Sequence, residues 1–206
     1  MALMERKEPV EIYGPVGLKD YLVSTKNTLN FGLNYPVDIN QILTEGVICD
    51  EKEYRVIAIK SSHSIDGFAF KFEEKPRPGR FYTKKAAALG VPAWELWGKL
   101  QSGQEITLAK GNVVKPSDVM GPVRRGRSIV YTGDTKPFEA FAKFAQDADL
   151  IIHDCTFDDS LFEKAALDGH STPSQAAAQA KVANAKKLAL SHISARYPDA
   201  SSLLEQ

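Results

Sequence analysis

The sequence holds only two cysteines, Cys49 and Cys155, in 206 residues. Two thiols make no disulfide framework, so a reducing, cytoplasmic setting is the default expectation. Long apolar runs are missing as well. No stretch approaches the roughly 18–20 residues needed to cross a membrane as a helix, so no membrane partner is expected. The first residues, Met1-Ala-Leu-Met-Glu-Arg-Lys7, meet charge at once and lack the apolar stretch of a secretory signal. Internal repeats, low-complexity tracts and compact metal motifs such as HExxH or CxxC are all absent. Histidine is scarce, at four residues. The length suffices for a domain with a real core.

The net charge is also zero, from 26 basic and 26 acidic residues, but the balance is local rather than uniform. From Lys75 to Arg127 there are 11 basic and 3 acidic residues, an excess of +8, so the remainder carries −8. Concentrated positive charge is what a polyanionic partner needs, and a solvated basic surface is the plain alternative. The same region is punctuated by Pro76, Pro78, Gly79, Gly90, Pro92, Gly103, Gly111, Pro116, Gly121 and Pro122. It reads as an excursion from the core with a short helix near Lys84–Leu89. Its apolar cluster, Trp94, Leu96, Trp97 and Leu100, is placed either to anchor the excursion or to meet a partner.

Elsewhere the hydropathy pattern defines elements. Val10-Glu-Ile-Tyr13 alternates as a strand, Gly14-Pro15 breaks it, and Gly17–Val23 has helical spacing. Residues 53–60 and Phe68–Phe72 alternate as two strands around Ser61-Ser-His-Ser-Ile-Asp-Gly67, a polar turn carrying His63. From Ser128 the order is strand (Ser128–Thr132), helix (Phe138–Ala148), strand (Leu150–Ile152), helix (Pro173–Ala185) and strand (Leu188–Leu190). Thr172 suits the N-cap of the second helix, Pro173 its first position, and Gln175 completes a capping box. A last helix begins at Ala200. Such alternation implies right-handed crossovers and a parallel sheet, hence an α/β fold.

Each of these three strands ends in polar residues: Thr132-Gly-Asp-Thr135, His153-Asp-Cys-Thr156 and Ser191-His-Ile-Ser194. Parallel strands share their carboxyl edge, where ligands bind. Asp134, His153, Asp154 and His192 are therefore expected to converge, with His170 in the loop entering the capped helix. Imidazole and carboxylate are the donors zinc prefers. Taken singly, an Asp after Gly also serves as a turn former and a loop His as a surface polar group. Composition and spacing thus lead to a metal or acid–base site on a sheet edge and no further.

The segments themselves carry a resemblance. Glu11-Ile-Tyr-Gly-Pro15, the His63 loop, Pro78-Gly-Arg80, Gly126-Arg-Ser128 into Thr132-Gly-Asp-Thr135, His153-Asp-Cys-Thr156, His170-Ser-Thr172 and His192-Ile-Ser-Ala-Arg-Tyr197 stand in an order that resembles the ribonuclease Z branch of the metallo-β-lactamase superfamily. The resemblance implies a metallo-β-lactamase-like αββα sandwich, present in part as a single incomplete domain over residues 1–206. It implies a zinc-dependent endoribonuclease that removes the 3′ trailer from precursor tRNA, acts as a homodimer and holds two Zn2+ per subunit. By that likeness His63, Asp134 and His192 are metal ligands, Asp134 bridging the two zincs. His170 is the proton donor to the leaving 3′ oxygen and Asp154 its orienting carboxylate, while residues 75–120 are an inserted tRNA-binding arm.

Three departures qualify the implication. The family's His-x-His-x-Asp-His motif does not occur in the sequence; its expected place is upstream, so the chain is read as a fragment, inactive alone. The arm's usual Gly-Pro pair is replaced within Pro92-Ala93-Trp94. Asp154 stands where the family usually has Glu, one methylene longer, so a shortened or water-bridged reach to His170 is expected. The alternatives are another phosphodiesterase of the same fold, which would not need the basic arm, and a non-catalytic tRNA-binding module.

Overall fold

A computed structural model describes residues 6–29 and 32–206. The chain divides into two compact units, one formed by residues 74–126 and the other by the segments on either side.

In the larger unit, strands β3 (Gly46–Asp50), β4 (Tyr54–Lys60), β5 (Phe68–Glu74), β8 (Ser128–Tyr131), β9 (Leu150–Asp154) and β10 (Leu188–Ser191) form one sheet in the order β10-β9-β8-β5-β4-β3. Strands β8, β9 and β10 run parallel, as the alternation predicts, and β5 joins β8 antiparallel. Helices α5 (Glu139–Phe144) and α7 (Pro173–Val182) supply the crossovers. They bury Phe141, Ala145, Ala176, Ala180 and Ala183, and Phe141 joins Val130 and Ile151 in one cluster. Thr172 is the N-cap of α7, and its amide donates to Gln175 Oε1 at 3.0 Å, the expected half of a capping box. Helix α6 (Phe162–Asp168) ends on Gly169 at φ 82°, the left-handed cap that glycine tolerates best. Helix α8 (Ser201–Leu204) starts one residue after Ala200.

Strand β1 (Val10–Gly14) pairs in parallel with β2 (Val37–Gln41) as a separate ribbon. Helix α1 (Leu18–Leu29) runs farther than its predicted span and has no buried residue. It flanks a cleft of about 360 Å³ lined by Val10, Ile12, Leu22, Val23, Val37 and Ile39 among others. Among the described residues no helix is long and apolar enough to cross a membrane.

The 74–126 unit is more ordered than its Gly and Pro content predicts. It holds α2 (Thr83–Ala88), α3 (Glu95–Gln101), β6 (Ile106–Thr107), β7 (Val113–Val114) and α4 (Pro116–Val119). Ala86, Val91, Leu100, Ile106, Val114 and Val119 make its own core, with Leu96 and Trp97 packed against them. The predicted apolar cluster therefore splits, because Trp94 lies outside this core. Gly79 and Gly121 mark a close backbone approach: a Cβ on Gly79 would meet the Gly121 carbonyl oxygen at 1.9 Å.

Truncating Phe141 to alanine should cost about 3–5 kcal/mol of stability. The exposed Ile65→Ala should change it by less than about 0.5 kcal/mol, and denaturant melts distinguish the two. His153 adds a pH dependence. Its ring is buried, its Nδ1 bonds the Asp154 carbonyl at 2.9 Å, and burial pulls its pKa below the ordinary 6.5. The unfolded chain then binds the extra proton first, so stability should fall as pH drops below about 6.5. The slope should flatten in His153→Gln.

Candidate active site

The three parallel strands deliver their polar ends to one place. After β8 the chain turns through Gly133, at φ 60°, which sets Asp134 and Thr135 beyond the strand end. Thr132 closes this turn, its hydroxyl donating to the Gly133 carbonyl at 2.7 Å and accepting from the Asp154 amide at 3.0 Å. Asp154 ends β9 and is fully buried. Its Oδ2 accepts from the Thr135 amide at 2.9 Å and from His170 Nδ1 at 2.8 Å. Its Oδ1 accepts from the Thr156 amide at 3.0 Å and the Thr156 hydroxyl at 2.8 Å. The shorter carboxylate thus reaches His170 directly, without the water bridge expected for it.

The Thr156 hydroxyl has one hydrogen, which goes to Asp154. It must therefore accept from His192 Nδ1, 2.7 Å away. By the same logic His170 Nδ1 donates to Asp154, since an ionised carboxylate only accepts. His63 Nδ1 lies 2.9 Å from the Gly169 carbonyl oxygen and donates to it. All three imidazoles are consequently held by Nδ1 and carry their lone pair on Nε2, the state a metal-ligating or proton-accepting histidine needs, although the Ser64 hydroxyl lies 3.4 Å from His63 Nε2. Gly169 also permits the approach of His63, because a Cβ there would meet His63 Nδ1 at 2.8 Å. The His63 loop is tied down by Ser62, whose amide donates to Thr135 Oγ1 at 3.0 Å and whose carbonyl accepts from the Lys136 amide at 3.0 Å.

The rings form a row, with His63 4.9 Å from His170 and His170 5.1 Å from His192, the latter pair stacked at 26°. Asp134 stands beside His192, its Oδ2 3.4 Å from Nε2. Asp134, His170 and His192 each offer one donor atom within 4.8 Å of the others. This set fits zinc. Two ligands at about 2.0–2.1 Å on a tetrahedral ion stand roughly 3.3 Å apart, close to the His192–Asp134 spacing. Each histidine also has the hydrogen-bonded Nδ1 that a ligand usually carries. The compact group contains His170 in place of His63, which the geometry puts beside it in the row. His192 itself sits at φ 59°, a left-handed backbone that is uncommon for a residue with a Cβ. Cys155 is excluded as a nucleophile: burial pushes its thiol up to about 12.

Thr156, Thr135 and Gly169 escaped sequence reasoning as site residues. The signal for Thr156 was present, since it falls within the polar end of β9. Which way one hydroxyl hydrogen points depends on neighbours far along the chain. Gly169 could be read as a helix terminator, but its closeness to His63 could not.

The fold and this strand-edge site define a metallo-β-lactamase superfamily protein. A family model described as "Beta-lactamase superfamily domain" matches residues 94–193. A solved structure, the metallo-beta-lactamase fold protein YhfI from Bacillus subtilis, is similar at TM-score 0.55 and 16% identity, covering 96% of this chain and 57% of that one. More narrowly, the chain is 43% identical to a ribonuclease Z of Nitrosopumilus maritimus, over 97% of this chain and 66% of that protein. It is 40% identical to a ribonuclease Z of Myxococcus xanthus, over 100% of this chain and 67% of that protein. The crystal structure of human tRNase Z, short form, is similar at TM-score 0.62 and 26% identity, covering 91% of this chain and 61% of that one. The chain belongs to the ribonuclease Z family. It spans about two thirds of the length of the curated relatives it matches.

Histidine ¹⁵N spectra offer a direct check on the deduced tautomers. At pH 8, His63, His170 and His192 should each show a protonated Nδ1 and a bare Nε2. Thr156→Val should return His192 alone to a tautomer mixture, and Thr156→Ser should restore it.

Proposed function

We propose that the protein this chain represents is a zinc-dependent endoribonuclease that removes the 3′ trailer from precursor tRNA. One observation carries the reading: in a ribonuclease Z family chain, the Asp154–His170 hydrogen bond lies beside the His192–Asp134 pair at the ends of parallel strands. His63, Asp134 and His192 are the proposed metal ligands, and Asp134 is the one that would serve both ions if two were bound. Bound zinc would supply a hydroxide at neutral pH and offset charge building on the phosphoryl oxygens.

The chain's own residues do the rest. Asp154 fixes His170 through Nδ1, so that Nε2 is left to carry and give the proton. A protonated His170 then gives its Nε2 proton to the leaving 3′ oxygen, and the buried carboxylate stabilises the imidazolium until that transfer. Thr156 orients His192, and Gly169 together with the Ser62–Thr135 link orients His63. The 74–126 unit, with ten basic and four acidic residues, is the proposed grip for the tRNA body. Phosphate contacts carry no base code, which suits recognition of a folded RNA by shape. The protein is proposed to act in the cytoplasm as a homodimer.

Three donors do not fill two zinc shells, so the purified 206-residue chain should hold less than one tightly bound zinc by metal analysis. Two retained zincs would sink that expectation. In a protein of the relatives' full length, His170→Ala should lower trailer removal by roughly 10²–10⁴-fold. Asp134→Ala should abolish most of it, and normal processing by that variant would end the assignment. Deleting residues 78–118 should remove tRNA cleavage while sparing hydrolysis of a small phosphodiester. Loss of both would point away from a dedicated tRNA grip.

A further inference from the structure

Within the 74–126 unit one large side chain behaves unlike the rest. Trp94 is 88% exposed, the highest value among the exposed large hydrophobic residues described. Its backbone lies at φ 76°, ψ −97°, a region open to glycine and strained for a residue with a Cβ. Trp94 caps α3 without a side-chain hydrogen bond, and no aromatic or cationic partner stacks on its ring among the described contacts.

The next turn of the same segment does the opposite. Leu96, Trp97 and Leu100 pack on the unit's core. Trp97 is fixed twice, by its indole N–H to the Val91 carbonyl at 3.3 Å and by its ring 5.4 Å from Phe81. Helix α3 is therefore anchored through one tryptophan, and the other is held outward at its start. Strain that persists with exposed apolar surface is a combination found where a protein meets a partner.

We propose that Trp94 is a stacking platform for an unpaired nucleobase of the bound RNA. The inference rests on the tRNA-binding reading of this unit and adds a contact to it. A single indole ring matches one base face, whereas a protein partner calls for a contiguous apolar patch, and Leu96, Trp97 and Leu100 of the same helix are turned into the core. The ring sits in a unit with an excess of six positive charges. On its own helix, Lys99 meets Glu95 in an exposed 3.4 Å ion pair that a phosphate could displace. Aromatic faces interspersed with basic side chains are the usual means of holding unstacked bases without reading their sequence. The indole would add affinity that is independent of the phosphate contacts.

The test uses the full chain and labelled tRNA in an anisotropy titration at several salt concentrations, with thermal melts alongside. Trp94→Gly should weaken binding roughly 10-fold. It should leave the salt dependence unchanged, because no charge is removed, and its melting temperature should stay equal or rise as the backbone strain is relieved. Trp94→Phe should bind within about 3-fold of wild type, since it keeps an aromatic face. Wild-type affinity in Trp94→Gly would overturn the proposal, as would a lower melting temperature, which assigns the ring a packing role. A changed oligomeric state with unchanged tRNA affinity would make the ring a protein contact and overturn it too. Should the wild-type chain show no salt-sensitive tRNA binding at all, the reading beneath would fail, and this inference with it.

Discussion

The buried carboxylate of Asp154 is the interaction on which the site depends. A charge removed from water costs several kcal/mol unless it is well paired. Here both oxygens are well occupied, by the Thr135 amide and His170 on one and by the Thr156 amide and hydroxyl, with a longer bond from the Ser171 amide, on the other. The donors come from the turn after β8, the turn after β9 and the loop before α7. Satisfying one carboxylate therefore draws three chain segments together, and they bring Asp134, His192 and His170 within reach of one another. The Asp154 amide closes the circuit by donating to Thr132. The arrangement is set by the backbone before any substrate or ion arrives, which is the preorganisation that electrostatic catalysis needs.

Much of this was legible in the sequence because parallel strands end on one edge. Once β8, β9 and β10 are inferred from alternating strand and helix patterns, Asp134, Asp154 and His192 have to meet. His170 follows from the capped start of α7. The handedness of the hydrogen bonds was not legible. The Thr156 hydroxyl decides the tautomer of His192, yet a threonine after a strand has many ordinary roles. His63 arrives from a loop more than a hundred residues before Gly169, and periodicity offers no distance constraint over that separation.

Among the elements, those with a cap, a break or a clear apolar run were readable, including the four-residue β8 and β10, and others were missed. Helix α7 has a cap, a first-position proline and several turns of alanine spacing. Strand β2 alternates in Val37-Asp-Ile-Asn40 but is absent from the predicted strands, and β3 carries a register shift between Val47 and Cys49 that breaks its alternation. Strands β6 and β7 have two residues each, too few for any period to show. The Gly and Pro punctuation of the 74–126 region separates short elements, as read, and these elements close around a core of their own that the punctuation does not reveal.

Asp154 stands where the resemblance leads one to expect a Glu, and the network holds His170 despite the shorter reach. A shorter side chain would ordinarily retreat from His170 and admit water between them. Here the 2.8 Å bond persists. With the turn after β8 donating through Thr135 and the turn after β9 through Thr156, the backbone already closes around the carboxylate. His170 enters from a loop whose own start is fixed: Gly169 caps α6, and the His170 amide donates to the Ala165 carbonyl at 2.8 Å. Ser171 holds the other side of that loop, its hydroxyl donating to the Thr135 carbonyl at 2.7 Å. The loop and the carboxylate are thus fastened to the same turn. The distance between them is set by main-chain geometry and much less by the number of methylenes. For that reason a glutamate at 154 in this chain would have to displace either Thr156 or His170 from its present contact, and the identity of this carboxylate is coupled to the loop that faces it.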